Sequence, residues 1–308
     1  MKKLIHRTIY SVGFIVLTLG AYYSLTSAIQ KPEKEVVTVE RTLFTPPPTP
    51  TELTLFREPM PLQHQDVFES FDREIFTNCY YHSSTIRILK LVPRFFPTIT
   101  TILEEEGLPG DFLYLAVAES ALDPSATSSA GAVGIWQFMK STAPEYGLEV
   151  NNEVDERYHV EKATHAACRY FKKSYETFGD WTLVAAAFNA GNNGMMKQIE
   201  RQHQTSYYNL LLNPETARYV FRIAALKVIL EDPEKYGFHI PDEIQYQPWK
   251  TREVQIDGPI KSFPNWCAEQ GITYKTLKIL NPWLRQDYLT NKSGKTYTIK
   301  LPLEGERI

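Results

Sequence analysis

The sequence predicts a mainly α-helical chain that ends in a small β-α-α-β module. Three observations carry this reading. From about Val67 to Tyr236 apolar residues recur at helical spacing, and no alternating run interrupts them. After Pro241 two alternating stretches, "REVQIDGPI" and "KTYTIKLP", flank two short helical patterns. Ahead of the helical block, residues 31–61 hold seven of the chain's 20 prolines.

The elements follow in order. Lys2, Lys3 and Arg7 precede 23 uncharged residues, Thr8 to Gln30, a stretch long enough to span a bilayer. Positive charge ahead of it favours a cytoplasmic N-terminus. Residues 1–30 are read as a membrane anchor, with Thr26-Ser27-Ala28 as the site if the segment is instead a cleaved signal. Either way the bulk of the chain is expected to be exported. Residues 31–62, with "TPPPTP" at Thr45 to Pro50, form a stiff, extended spacer.

Residues 63–240 are expected to form the helical domain. "PTITTILEEEGLPGDFLYLAVAES" reads as a helix, a Gly-Leu-Pro-Gly break and a second helix capped by Asp111. "EKATHAACRYFKKSYETFG" closes at Gly179. "DWTLVAAAFNAG" runs from a cap-competent Asp180 to Gly191. "NPETARYVFRIAALKVILED" starts near Pro214. In residues 241–308, "SFPNWCAEQGI" and "TYKTLKILNPWL" supply the two helices of the terminal module.

Composition narrows the function. Net charge is −3 and the isoelectric point about 6.2, so the basic stripe of a nucleic-acid binder is missing. Cys79, Cys168 and Cys267 are widely spaced and form no His/Cys cluster, so no metal site and no cofactor is expected. The odd cysteine count argues against a disulfide framework and leaves room for one bridge.

Glu119 carries the first chemical signal. Phe112, Leu115 and Ala116 precede it by seven, four and three positions, so Glu119 continues an apolar face. A carboxyl group there loses solvation and stays protonated toward neutrality, which suits a general acid. The competing reading is a helix-end glutamate turned to water. Asp123-Pro124 then ends the helix. "SATSSAGAVG" follows as a loop of small side chains that lets a bulky polymer approach, and Trp136 and Gln137 come next. Core packing is the competing role for Trp136 and Phe138. Asp123 reads as a turn former, so no second carboxylate near Glu119 in sequence is placed to activate water.

The ordered set "ES" (Glu119-Ser120), "GIWQFM" (Gly134 to Met139), "AFNAG" (Ala187 to Gly191) and the tyrosine of "ETARYV" (Tyr219) resembles the family-1 lytic transglycosylases. "VDERYHVEKAT" and "FGDWTLVAAAFNAG" point to the membrane-bound murein transglycosylase D branch. The resemblance covers roughly Phe68 to Leu230. The last module resembles, more weakly, a LysM glycan-binding unit.

The resemblance implies a lysozyme-like, goose-type catalytic domain that cleaves the glycan strands of peptidoglycan without water. Glu119 would protonate the glycosidic oxygen and then take the 6-hydroxyl proton of N-acetylmuramic acid, which closes a 1,6-anhydro ring. Ser120 and Gly134 fall inside the matching motifs. Ser128 or Ser129 would sit near the acetamido group, with Ser128 the better fit to the spacing. Gln137 and Met139 would line the cleft. Asn189, beside Ala190, would contact sugar or hold the acid, and Tyr219 would point its hydroxyl at Glu119 or the reacting sugar. The terminal unit would expose Trp283 or Tyr274 to a sugar strand and bind glycan independently of the chemistry. The other readings are a hydrolytic muramidase of the same fold and an inactive wall-binding scaffold.

Overall fold

The computed structural model describes residues 16–25 and 45–306. Residues 16–25 are helical. The remainder of the expected 1–30 anchor lies outside the described residues, and among those described no helix is long and apolar enough to cross a membrane. The described residues from Pro46 onward form one compact unit.

A two-residue hairpin, β1 (Thr54–Leu55) with β2 (Glu58–Pro59), opens this unit. It is a small β element in a stretch expected to be spacer. Its turn residues Phe56 and Arg57 both have positive φ, yet Leu55 and Phe56 are fully buried, so hydrophobic burial holds the strained turn. The helical body follows as α1 (Gln65–Tyr80), α2 (His82–Glu105), α3 (Phe112–Ser120), α4 (Val160–Phe178), α5 (Trp181–Ala190), α6 (Asn192–Gln202) and α7 (Pro214–Glu231). The chain is thus mainly α-helical, as its periodicity predicts.

Three local expectations change. The helix expected to start at Pro97 begins at His82 and runs through Pro93 and Pro97. Its buried stripe, Ile88, Leu91, Phe95, Ile99 and Leu103, is continuous across both prolines, so tertiary packing overrides the cost of the lost N–H groups. Asp111 does not cap α3. Its carboxylate instead accepts from the Phe56 amide (2.6 Å) and from Lys227 Nζ (2.6 Å), pinning the hairpin and α7 to the start of α3. Helix α6 follows Gly191 directly, where the sequence showed only an end. Asp180 caps α5 as expected, accepting from the Leu183 amide.

The terminal module is β3 (Thr251–Ile256), α8 (Phe263–Glu269), α9 (Tyr274–Leu280) and β4 (Tyr297–Pro302). The strands pair antiparallel, Thr251 opposite Pro302 and Ile256 opposite Tyr297. Asn281, fully buried, stitches α9 to β4: its Oδ1 accepts from the Lys300 amide (2.8 Å) and its Nδ2 donates to Lys300 O (2.7 Å). With its polar atoms satisfied, the cost of burying this amide is offset by its hydrogen bonds.

The module is docked on the body. Val133, Val154 and Tyr158 of the body share one buried cluster with Trp283, Leu284 and Ile299 of the module. Across the seam the Asp155 amide donates to Trp283 O (2.9 Å) and the Arg285 amide to Glu153 O (2.8 Å). Glu153 accepts from Thr290, Glu149 from Lys295 and Tyr297, and Glu161 pairs with Lys300. Trp283, expected to face a sugar, is 3% exposed and stacks on Tyr297 at 5.8 Å. Both Trp136 and Phe138 are core residues. Cys79, Cys168 and Cys267 are buried free thiols.

Because the seam carries shared core, body and module should unfold together. Leu284→Ala deletes a fully buried side chain there, and a loss of about 2 to 5 kcal/mol is expected. Denaturant unfolding followed by fluorescence and by circular dichroism should give one coincident, weakened transition. Two separated transitions in the unmodified protein would show the modules to be independent.

Candidate active site

Helix α3 is buried on every side: each residue from Phe112 to Val117 is buried. Glu119 therefore does not extend a one-sided stripe. It stands in the last turn, where the helix reaches the floor of a cleft of about 510 Å³. The chain reverses immediately afterwards through two left-handed residues, Ala121 (φ 52°) and Leu122 (φ 60°). Such conformations cost about 1 kcal/mol or more each outside glycine, and complete burial of the Leu122 side chain offsets them. The reversal leaves the Glu119 side chain free to face the cleft rather than another turn of helix.

Helix α7 supplies the partner. Tyr219 Oη donates to Glu119 Oε1, and Arg222, one turn further on, lines the same cleft. Burial pushes the Glu119 carboxyl up to about 7; the Tyr219 hydrogen bond and the Arg222 charge act against this, and Glu215 adds to the rise. Burial and then the neighbouring Glu119 charge raise the Tyr219 hydroxyl well above its ordinary value, so it stays a donor. The pair can hold a proton near neutrality and stabilise the carboxylate once the proton leaves.

The loop after Asp123 forms the opposite wall. Asp123 is a turn former, its Oδ1 accepting from the Ser125 amide (2.9 Å) and hydroxyl (2.7 Å). Ser128 Oγ accepts from the Ala132 amide (3.0 Å). Gln137, at φ 50°, spends its amide donor on Gly134 O (2.8 Å) and Ala126 O (3.3 Å). Gly134 has φ 81°, and a Cβ there would stand 1.9 Å from Arg157 O, so only glycine fits this close approach. Arg157 in turn holds Asp155 in a two-pronged pair and donates to Phe138 O (3.1 Å) and Gly131 O (3.3 Å).

The cleft thus gathers Glu119, Ser120, Ser128 and Gln137 in its lining, with Tyr219 bonded to the acid. Ser120 turns its hydroxyl back to Ala116 O. Gly134 is a packing position rather than part of the lining. Ser129 and Met139 are exposed and lie outside the lining. Asn189 and Ala190 line a separate recess of about 440 Å³. There Asn189 donates to Glu215 (3.2 Å) and accepts from Thr216 (2.8 Å).

Sequence spacing missed several cleft residues. Glu74 of α1 is a second carboxylate in the wall, fully buried and held by Arg218 (Nε to Oε1 2.6 Å, Nη2 to Oε2 3.3 Å). Asn78, Tyr81 and Arg222 join it. No signal within one segment could place these, since α1 and α7 meet only on folding. Glu74 is occupied by its ion pair, so Glu119 is the carboxyl group of the cleft free to exchange a proton. Among the described residues no His, Cys, Asp and Glu group could hold a metal ion.

The raised value has a measurable consequence. The folded state holds the Glu119 proton up to about pH 7, against an ordinary 4.5 in the unfolded chain. Its contribution to stability is complete below pH 4.5 and is lost as pH rises through 7. Glutamine does not titrate, so Glu119→Gln should gain on the unmodified protein by about 3 kcal/mol between pH 4.5 and 8. Melting temperatures across that range check this; a constant difference would refute the buried proton.

Residues 99–211 match the family model described as transglycosylase SLT domain, and residues 252–305 match the soluble lytic transglycosylase C-terminal LysM-like domain. The chain is 31% identical over 225 residues to the membrane-bound lytic murein transglycosylase D of Escherichia coli K12, covering 71% of this chain and 48% of that protein. It is 29% identical over 102 residues to a putative tributyltin chloride resistance protein of an Alteromonas species, covering 33% and 49%. The chain therefore spans about half the length of these curated relatives. A solved structure of the lytic transglycosylase Slt of Pseudomonas aeruginosa, an inactive mutant, aligns at a TM-score of 0.37 with 19% identity over 51% of this chain and 28% of that one. The two matched segments fall on the helical body and the docked module described above, so the chain resembles the lytic transglycosylases in carrying a match to an SLT domain followed by a match to a LysM-like domain.

Proposed function

We propose that the protein is a peptidoglycan lytic transglycosylase of the cell envelope, cleaving the bond between N-acetylmuramic acid and N-acetylglucosamine with formation of 1,6-anhydro ends. The observation that carries this is a single proton-holding carboxyl, Glu119, on the floor of an open cleft whose other carboxylate is locked to Arg218. Ordinary glycosidases need a second free carboxylate to activate water or to attack the sugar. With one, the nucleophile must come from the substrate.

In the first half-reaction the Glu119 proton passes to the glycosidic oxygen, the C1–O bond of the muramyl sugar breaks, and positive charge develops at C1. In the second, the Glu119 carboxylate accepts the proton of the 6-hydroxyl as O6 bonds to C1. The acid is regenerated and no water is consumed. Tyr219 keeps the carboxyl oriented in both steps, and Arg222 stabilises the carboxylate formed between them. Ser128 and Gln137 lie in the wall where a sugar would pass, and Gln137 acts mainly by bracing the loop. Asn189, in the neighbouring recess, would meet sugar further along a strand. We assign residues 63–240 to catalysis and 241–308 to a docked module, and place the chain on the periplasmic side.

Three outcomes are expected. Glu119→Gln should fold and lose glycan cleavage by at least about a thousandfold, in line with removal of a general acid; retained muropeptide release would remove Glu119 from this role. Products should carry 1,6-anhydromuramic ends, each one water lighter than a hydrolytic end, and mainly reducing ends by mass spectrometry would favour a muramidase. Tyr219→Phe removes the donor that favours the carboxylate, so Glu119 should keep its proton to higher pH. The alkaline limb of kcat/KM, near pH 7 in the unmodified protein, should then move up; a downward move would contradict the assigned geometry.

A further inference from the structure

A second recess, of about 580 Å³, lies between the body and the docked module and has no part in the chemistry above. One wall is α2, with Arg87, Arg94 and Phe95. Another is the Leu122–Ser125 loop that follows Glu119. The third is the module, with Lys275, Lys278 and Lys300 around buried Trp283.

Its charge is one-sided. Five cations line it against two carboxylates, Asp123 and Glu161, and both acids are engaged. Asp123 faces Arg87 at 3.4 Å, and Glu161 pairs with Lys300 and lies 3.1 Å from His159 Nδ1. Among the described residues Arg94, Lys275 and Lys278 form no salt bridge, although the Asp287 charge acts on Lys278. Arg94 donates to Gln247 O and lies over the Trp249 ring at 4.3 Å. Lys278 donates to the carbonyls of Leu284 and Gln286. Burial lowers both Arg94 and Lys278, a cost that a bound anion would relieve. Apolar floor and cationic rim together fit a ligand with small apolar groups and free carboxylates.

The recess also adjoins the cleft. On α2, Ile88 lines the Glu119 cleft while Arg87 and Leu91, within a turn of it, line the recess. Along the loop, Ala121 and Ala126 face the cleft and the residues between them face the recess. We propose that the recess binds the carboxylate-bearing peptide stem of a glycan strand whose sugars occupy the Glu119 cleft. The docked module then contributes to substrate choice through peptide, in place of gripping glycan at a distance. This rests on the peptidoglycan reading above.

Lys275 is exposed and unpaired, so Lys275→Glu should fold unchanged. Two measurements test the proposal. In the first, KM is compared on peptide-bearing strands and on strands stripped of peptide. Lys275→Glu should raise KM about fivefold to tenfold on the former and leave it unchanged on the latter, with Lys275→Arg restoring it. An equal rise on both would mean that the recess holds sugar and would overturn the proposal. In the second, a free tetrapeptide stem, which has no glycosidic bond, is titrated calorimetrically into the unmodified protein and the variant. Saturable binding that weakens in Lys275→Glu supports the recess even if no glycan is cleaved, in which case the catalytic reading alone falls. No binding to the unmodified protein overturns the recess.

Discussion

The hydrogen bond from Tyr219 to Glu119 joins the two helices on which the cleft depends. Helix α3 is buried on all sides up to Val117, so its only opening is at its C-terminal turn. A carboxyl group there sits where protein has replaced most of its water, and its charged form is disfavoured. Tyr219 and Arg222 on α7 limit that penalty without removing it, and the balance falls at about 7. A group poised there gives up a proton and takes one back at similar cost, which one residue must do if it serves as acid and then as base.

The rest of the cleft is built so that this carboxyl stays accessible. Two successive left-handed residues turn the chain away from it, anchored by buried Leu122. The facing loop is held from beneath: Gly134 permits contact with Arg157 O, and the Arg157 guanidinium ties down the carbonyls of Gly131 and Phe138. The segment from Glu149 to Glu161 that carries Arg157 is also the docking surface of the terminal module, through Glu153, Asp155 and Glu161. Module, docking segment and cleft loop form one mechanical chain, so the module supports the site as well as bordering the recess beside it.

What the sequence reveals here depends on distance along the chain. Glu119 is legible because its neighbours are within one helix, and the cap at Asp180 is legible because capping is local. Helix α2 is misread at Pro97 because proline is a strong local signal, whereas the stripe from Ile88 to Leu103 that outweighs it acts through packing. Glu74 and Arg218 stand 144 positions apart, and nothing in either segment announces the pair. Trp283 looks like a sugar platform because an aromatic side chain serves a core and a glycan equally well. Only the presence of Tyr297 and the body against it decides for the core.

The claim on which the rest turns is that Glu119 keeps its proton to near neutrality in the folded protein. Difference infrared spectroscopy, comparing the unmodified protein with Glu119→Gln across pH 4 to 9, observes that carboxyl directly. A protonated-carboxyl band that is absent from the variant and disappears with a midpoint near pH 7 is the expected result. A midpoint near 4.5 would show an ordinary solvated glutamate, and the cleft would then lack the acid on which the proposed chemistry is built.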